Sequence, residues 1–247
     1  MKKILFYISV LALIFMVGCS IPGVNLGDDS SENPEGGIIE GVPSEGNINN
    51  EALEADRAAG YLILVNKEHG LSEDYTPGDL ADIIYYAKDR SSKGRYMRQE
   101  AANAFHSLSE DAALEGHEIV VTTAYRSYAF QSDLYYGYIS SKGQEWADKY
   151  SAKPGTSEHQ TGLAADCSSP SVGYQLTSSF GETQEGIWLA ENCDKYGFII
   201  RYPQGQEQIT GYNYEPWHIR YVGEAAANII KEKGWTFEEF SSFFGHE

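Results

Sequence analysis

The chain has 247 residues, of which 36 are acidic and 18 basic, for a formal net charge of −18 at pH 7. No basic cluster interrupts that acidity, which argues against nucleic acid as a partner. The one long apolar run is too short for an ordinary membrane-spanning helix.

That run comes first in the chain. Lys2 and Lys3 precede apolar residues 4–16, the pattern of a secretory signal. It ends at Met16-Val17-Gly18-Cys19-Ser20, which resembles a bacterial lipobox with Met at its usual aliphatic position. Cleavage after Gly18 would leave Cys19 to be lipidated, so the protein is expected on the extracellular face of a bacterial membrane, held by a lipid anchor. Residues 20–56 hold nine acidic residues and no Lys or Arg, and are rich in Gly, Ser, Asn and Pro. Such a segment buries too little apolar surface to offset its ordering entropy, so 19–56 reads as a disordered acidic tether.

Residues 57–247 read as one domain. Residues 61–66 form a short apolar run expected as a strand, and 76–79 a turn. Residues 96–114 carry Met97, Ala101, Ala104, Phe105 and Leu108 at helical spacing. The β-branched run 118–125 is expected as a strand, 129–149 as a helix and 163–167 as a strand. A helix over 186–196 is expected to end at Gly197, followed by strands over 198–201 and 217–222 and a helix over 224–233. This order lacks a strict βαβ repeat, so the fold class is α+β. Cys167 and Cys193 are expected as two buried thiols, with a disulfide as the alternative.

Two segments carry the chemistry. The first runs Ser157-Glu158-His159-Gln160-Thr161-Gly162-Leu163-Ala164-Ala165-Asp166, and the second is Glu215-Pro216-Trp217-His218. They supply two imidazoles and a carboxylate to hold a metal, with a further carboxylate as base. Three protein ligands and an open position describe a catalytic zinc, whereas a structural zinc is closed by four. Strand parity sets conditions on both segments. Gly162, Ala164 and Asp166 share one strand face, so His159 must lie in a loop before the strand, with Gly162 supplying the bend. Glu215 and His218, three apart, face one metal only if the chain twists or turns at Pro216. Cys167 follows Asp166 directly and so points to the opposite face, which disfavours it as a fourth ligand.

These motifs resemble those of the VanY-type D-alanyl-D-alanine carboxypeptidases, LAS-type zinc metallopeptidases that trim peptidoglycan stem peptides. The resemblance covers about residues 60–240. It rests on Ser157, His159, Gly162, Ala164 and Asp166, then on Glu215 and His218, and on Tyr125-Arg126-Ser127-Tyr128 followed by Gln131. It implies a small central antiparallel sheet flanked by helices, with zinc at the sheet. It further implies His159, Asp166 and His218 as ligands of one Zn2+ per chain, Glu215 as the general base and Arg126 in catalysis and substrate binding. Gln131, Ser157, Tyr214 and Trp217 are expected around the substrate. Lys153 stands where the family often has Arg before Pro, keeping the charge but not the planar fork. The activity implied is a D,D-carboxypeptidase acting on stem peptides, in a monomer. The alternatives are an L,D-carboxypeptidase and a non-catalytic zinc-bearing cell-wall binding protein. Glu215 speaks against the last, because a binding protein needs no base beside its metal.

Overall fold

The computed structural model describes residues 49–87 and 94–245. The expected signal segment, Cys19 and the tether as far as residue 48 lie outside the described residues. The first element, α1 (Asn50–Ala58), is capped by the Asn49 side chain, which accepts from the Ala52 N–H at 3.1 Å. Leu53 on α1 is buried with Val222, Ala226 and Phe240. The tether boundary is therefore corrected: residues 50–56 are helical and belong to the fold. A nine-residue helix with one cap and a single buried apolar residue is invisible to a reading based on average composition.

The run 61–66 is not a strand. Its Tyr61 and Ile63 carbonyls accept instead from the buried Arg220 guanidinium, at 3.0 and 2.7 Å. A small hairpin of β1 (Leu80–Asp82) and β2 (Tyr96–Arg98) takes the first residues expected of the next helix, so α2 spans Gln99–Leu114. After β3 (Val120–Thr123), Ser127 caps α3 (Tyr128–Lys142). The single helix expected over 129–149 breaks at Gly143, whose φ of 90° ends α3 and begins α4 (Gln144–Tyr150).

Next comes β4 (Ala164–Ser168), then α5 (Gln184–Asn192), extended by a 3-10 turn that stops at Gly197 in the left-handed region. A Cβ at Gly197 would lie 2.8 Å from the Tyr221 ring, so close approach as well as φ requires glycine there. The remaining elements are β5 (Phe198–Tyr202), α6 (Glu207–Thr210), β6 (Glu215–Tyr221), α7 (Glu224–Lys233) and α8 (Phe237–Phe244). The reading of the sequence missed α8, although its capping box, Thr236 with Glu239, is a sequence-level signal.

The strands β3, β4, β6 and β5 pair in that order, all antiparallel. Strand alternation then sorts the residues by face. Ala165, Cys167, Ile219 and Tyr221 pack with α2 and α5 in the main core. Asp166, His218 and Arg220 have the opposite parity and face the other way. Asp166 and His218 are direct cross-strand partners in the β4–β6 register. Cys167 and Cys193 are both buried and free, as expected of two thiols.

Candidate active site

The first segment is shaped by a 3-10 turn, Glu158–Thr161, that Gly162 ends at φ 69°. A Cβ on Gly162 would come within 3.0 Å of Leu80 Cδ2 and 3.2 Å of Arg98 Cγ, so a side chain there would strain the backbone at its positive φ and crowd both neighbours. Thr161 Oγ1 donates to the Glu158 carbonyl at 2.6 Å and accepts from Leu163 N–H at 3.0 Å, closing the turn on itself. His159 thus stands in a loop before β4, as parity required. Its Nδ1 lies 2.7 Å from the Ala124 carbonyl. A carbonyl only accepts, so Nδ1 carries the proton and Nε2 is left as a free donor of electrons.

The second segment meets its condition by a bulge. Ile200 pairs with Ile219 and Tyr202 with Glu215, so β5 advances two residues while β6 advances four. The surplus kinks β6 around Pro216, a position where a missing N–H costs no ladder bond. Glu215 and His218 are thereby brought to one side, with Oε2 3.8 Å from Nδ1.

His159, Asp166 and His218 converge, and one ligand atom from each lies within 4.8 Å of the others. His159 Nε2 is 3.4 Å from Asp166 Oδ2, and His218 Nδ1 is 3.0 Å from Asp166 Oδ1. All three are about 5% exposed or less. Two imidazole nitrogens with one carboxylate, converging from three backbone stations, fit the donor set of a zinc ion with an open coordination position.

Arg126 follows β3, and its backbone N–H donates to the His159 carbonyl at 3.1 Å. Its Nη2 is 3.9 Å from Asp166 Oδ2, and its Nη1 donates to Gln131 Oε1 at 2.7 Å. Gln131 is 1% exposed and spends its Nε2 on the Ala152 carbonyl and Ser151 Oγ. The expected substrate contact at Gln131 is therefore corrected: its amide is a strut for Arg126. Tyr214 is corrected as well. It does not line the cavity beside the cluster, and its hydroxyl fills the space where Gly181 lacks a side chain. Ser157 and Trp217 do line that cavity, together with Arg126 and Glu215.

The cavity measures about 460 Å³ and has walls that the motifs did not announce. Tyr212 stacks on Tyr202 at 4.5 Å, and Tyr202 leans on the His218 ring at 4.8 Å. Lys67 donates to the Gly211 carbonyl and stands 4.8 Å over Tyr212. Tyr138, Tyr150 and Leu176 complete the far wall. Tyr212 stands three residues before Glu215 in the same stretch of chain, which was the sequence hint of it. Lys153 pairs with Asp148 at 3.6 Å, with both side chains exposed.

Electrostatics divide the carboxylates. Burial would raise both Asp166 and Glu158, yet each is held well below the ordinary range, Asp166 by His159 and His218, Glu158 by Arg201 and Arg220. Burial pushes Glu215 the other way, up to about 7, against the pull of His218 and Arg126 and with help from Asp166. Burial would lower His218, but Asp166 and Glu158 outweigh it and raise the ring to about 9. One acid is thus tuned for proton transfer near neutral pH, beside a donor cluster and a guanidinium, which is machinery for hydrolysis.

Comparisons with known proteins agree with that chemistry. A family profile described as VanY, D-alanyl-D-alanine carboxypeptidase, matches residues 94–224. YodJ of Bacillus subtilis (strain 168), named as a carboxypeptidase, is 46% identical over 181 residues, covering 72% of this chain and 66% of YodJ. The solved structure of the L,D-carboxypeptidase LdcB is 44% identical with a TM-score of 0.70, over 74% of this chain and 86% of that one. The D,D-pentapeptidase VanY from a VanB-type resistance cassette, solved as a mutant with Zn(II), is 30% identical with a TM-score of 0.59, over 73% of this chain and 98% of that one.

Proposed function

The chain belongs to the VanY family of D-alanyl-D-alanine carboxypeptidases, and from that premise we propose that it is a zinc-dependent enzyme that removes the terminal D-alanine from peptidoglycan stem peptides. The observation that carries this reading is the convergence of the His159–Asp166–His218 cluster, Glu215 and Arg126 on one cavity. His159 Nε2, an Asp166 carboxylate oxygen and His218 Nδ1 would hold the zinc. Zinc bound there supplies Lewis acidity, which makes hydroxide available near neutral pH and polarises a carbonyl.

The chain's own groups account for the rest. Glu215 accepts a proton from the attacking water as the new C–O bond forms at the carbonyl before the terminal residue. It then delivers that proton to the departing amine as the C–N bond breaks. Arg126, held by Gln131, offers a guanidinium to an oxyanion or to the substrate's free carboxylate. Tyr202 and Tyr212 form a stacked aromatic wall against the His218 ring.

Two bonds compete as the target. A D,D-enzyme shortens pentapeptide stems, and an L,D-enzyme shortens tetrapeptides. The greater likeness to LdcB, at 44% identity against 30% for VanY, supports the L,D reading over the D,D reading that the motifs first suggested. A purely binding role is disfavoured by Glu215, whose raised proton affinity serves proton transfer and not adhesion. The lipobox-like run ending at Cys19 supports a lipid-anchored location outside the cell.

Mass spectrometry of purified muropeptides incubated with the zinc-loaded protein tests the proposal. Tetrapeptide stems converted to tripeptide are expected. Conversion of pentapeptide to tetrapeptide alone would return the specificity to D,D. No change in either stem, with metal bound, would refute the enzyme reading.

A further inference from the structure

The α3–α4 hairpin carries most of its large apolar side chains on the outside. Of α3 only Gln131 and Tyr135 are buried, and of α4 only Ala147. Phe130, Leu134 and Tyr138 recur every four residues and so share one stripe of α3. Phe130 is 47% exposed, and Tyr150 at the end of α4 is 54% exposed. Trp146 links the two helices on this side, with its ring 4.9 Å from Tyr138 and 4.9 Å from Tyr150. The exposed Lys142 and Lys149 hang over Trp146 and Tyr150 at 4.6 and 5.2 Å, so these ring faces are open to groups arriving from solvent. Among the described residues, the side chains of Tyr138, Trp146 and Tyr150 make ring contacts and no hydrogen bond.

Behind the rings a polar knot fixes the hairpin. The Tyr135 hydroxyl donates to Asp148 Oδ1 at 2.5 Å, and Gln144 Nε2 donates to that hydroxyl and to Asp148 Oδ2 at 2.8 and 2.9 Å. The surface is therefore preorganised, and a ligand need not order it. Contiguous exposed aromatic surface of this kind marks a binding site.

Its position names the ligand. Leu134, Tyr138 and Tyr150 also line the cavity beside the His159–Asp166–His218 cluster, whereas Trp146 stands outside it. A carboxypeptidase holds the C-terminal end of its substrate at the reacting centre, so the N-terminal end must lead out of the cavity. In peptidoglycan that end is joined to a glycan strand. An extended peptide seeks open backbone N–H and C=O groups, and those of α3 and α4 are spent within the helices. The C–H face of a sugar ring carries partial positive charge and matches the negative face of an aromatic ring. The indole N–H, the phenol hydroxyls and the two ammonium groups suit the sugar's hydroxyl and acetamido oxygens.

We propose that Tyr138, Trp146 and Tyr150 form a glycan platform that receives the N-acetylated sugar next to the stem peptide being trimmed. The inference rests on the peptidoglycan reading above and adds to it a preference for stems still joined to glycan.

Two measurements test it. The first compares kcat/KM of the zinc-loaded full chain on one cleavable stem peptide, free and joined to its disaccharide. The joined form is expected to be better by about 5- to 100-fold, mostly through KM, on the scale of a stacked ring. In Trp146→Ala that ratio is expected to fall toward one. Equal values in the parent, or a ratio kept in the variant, would overturn the proposal. Trp146→Leu keeps an apolar side chain without a flat face and serves should Trp146→Ala fail to fold. The second is an NMR titration of the full chain, nitrogen-labelled at Trp, with the peptide-free disaccharide whose lactyl acid is capped as an amide. The Trp146 indole N–H, identified by its loss in Trp146→Phe, is expected to shift. A shift caused only by sugar-free stem peptide would make the surface a peptide subsite and overturn the proposal, as would no shift with either ligand. Should neither stem be cut, the enzyme reading falls, and the titration still decides the platform.

Discussion

Glu215→Gln separates a carboxylate kept for chemistry from one kept for stability. Folding raises the Glu215 pKa from 4.5 to about 7, chiefly by burial. The folded state therefore binds more protons than the unfolded state between those values, and metal-free stability falls as pH rises across that window. A shift of that size amounts to roughly 3 kcal/mol at 1.36 kcal/mol per unit. The side chain keeps 28% of its exposure, which trims this upper bound. Glutamine copies the protonated acid and cannot ionise. Stripped of metal, the variant should match the parent near pH 4 and exceed it by about 1–3 kcal/mol at pH 8, which is a Tm gain of several degrees for a domain of this size. Turnover of muropeptides should meanwhile fall about 10²- to 10⁴-fold, the usual contribution of a general base. Thermal unfolding in chelator at the two pH values, paired with turnover of the zinc-loaded protein, reads both effects. A variant that is less stable at pH 8, or one that keeps its turnover, would refute the reasoning.

Three further outcomes are expected. His218 is raised to about 9 in the metal-free site, so at neutral pH a zinc ion must displace its proton; zinc affinity should rise with pH up to about 9, and calorimetry in buffers of different ionisation heat should show proton release, whereas a flat affinity between pH 6 and 8 contradicts the assignment. Gln131→Ala removes the strut of Arg126 while leaving the cavity lining intact; kcat/KM should drop on the order of 10²-fold with zinc affinity unchanged, and full activity would show that Arg126 needs no such support. Leu53→Ala should cost about 2–5 kcal/mol in urea unfolding if α1 belongs to the domain, while a tether residue would cost nothing measurable.

The sequence was most informative where function limits the choice of residue. His159, Asp166, Glu215 and His218 were legible because few residue types bind metal or move protons, and parity along a strand already required a loop before Gly162 and a distortion at Pro216. Those two conditions appear as the 3-10 turn and the β6 bulge. Elements with a long apolar period, such as α7, were legible too. The four- and five-residue strands β3, β4 and β5 were read from their composition, but the shortest elements were not legible. The three-residue strands β1 and β2 carry too few residues for any period, and the run 61–66 has strand composition but gives two of its carbonyls to a guanidinium.

Chemistry per residue and alternation along the chain were thus determined by the sequence alone. Which polar groups find each other across the fold was decided only by the tertiary structure. Gln131 looked like a substrate contact until its amide was seen to be consumed by Arg126 and the 151–152 backbone. Glu158 was given no role in the segment that contains it, and Arg201 and Glu238 stand in neither motif. Their meeting depends on strand register and on the docking of α8, with a separation of 37 to 62 residues along the chain between each of the acids and its basic partner. A buried charge is tolerable only when its partners arrive from such distances with the right geometry, and that is a property of packing that no local pattern records.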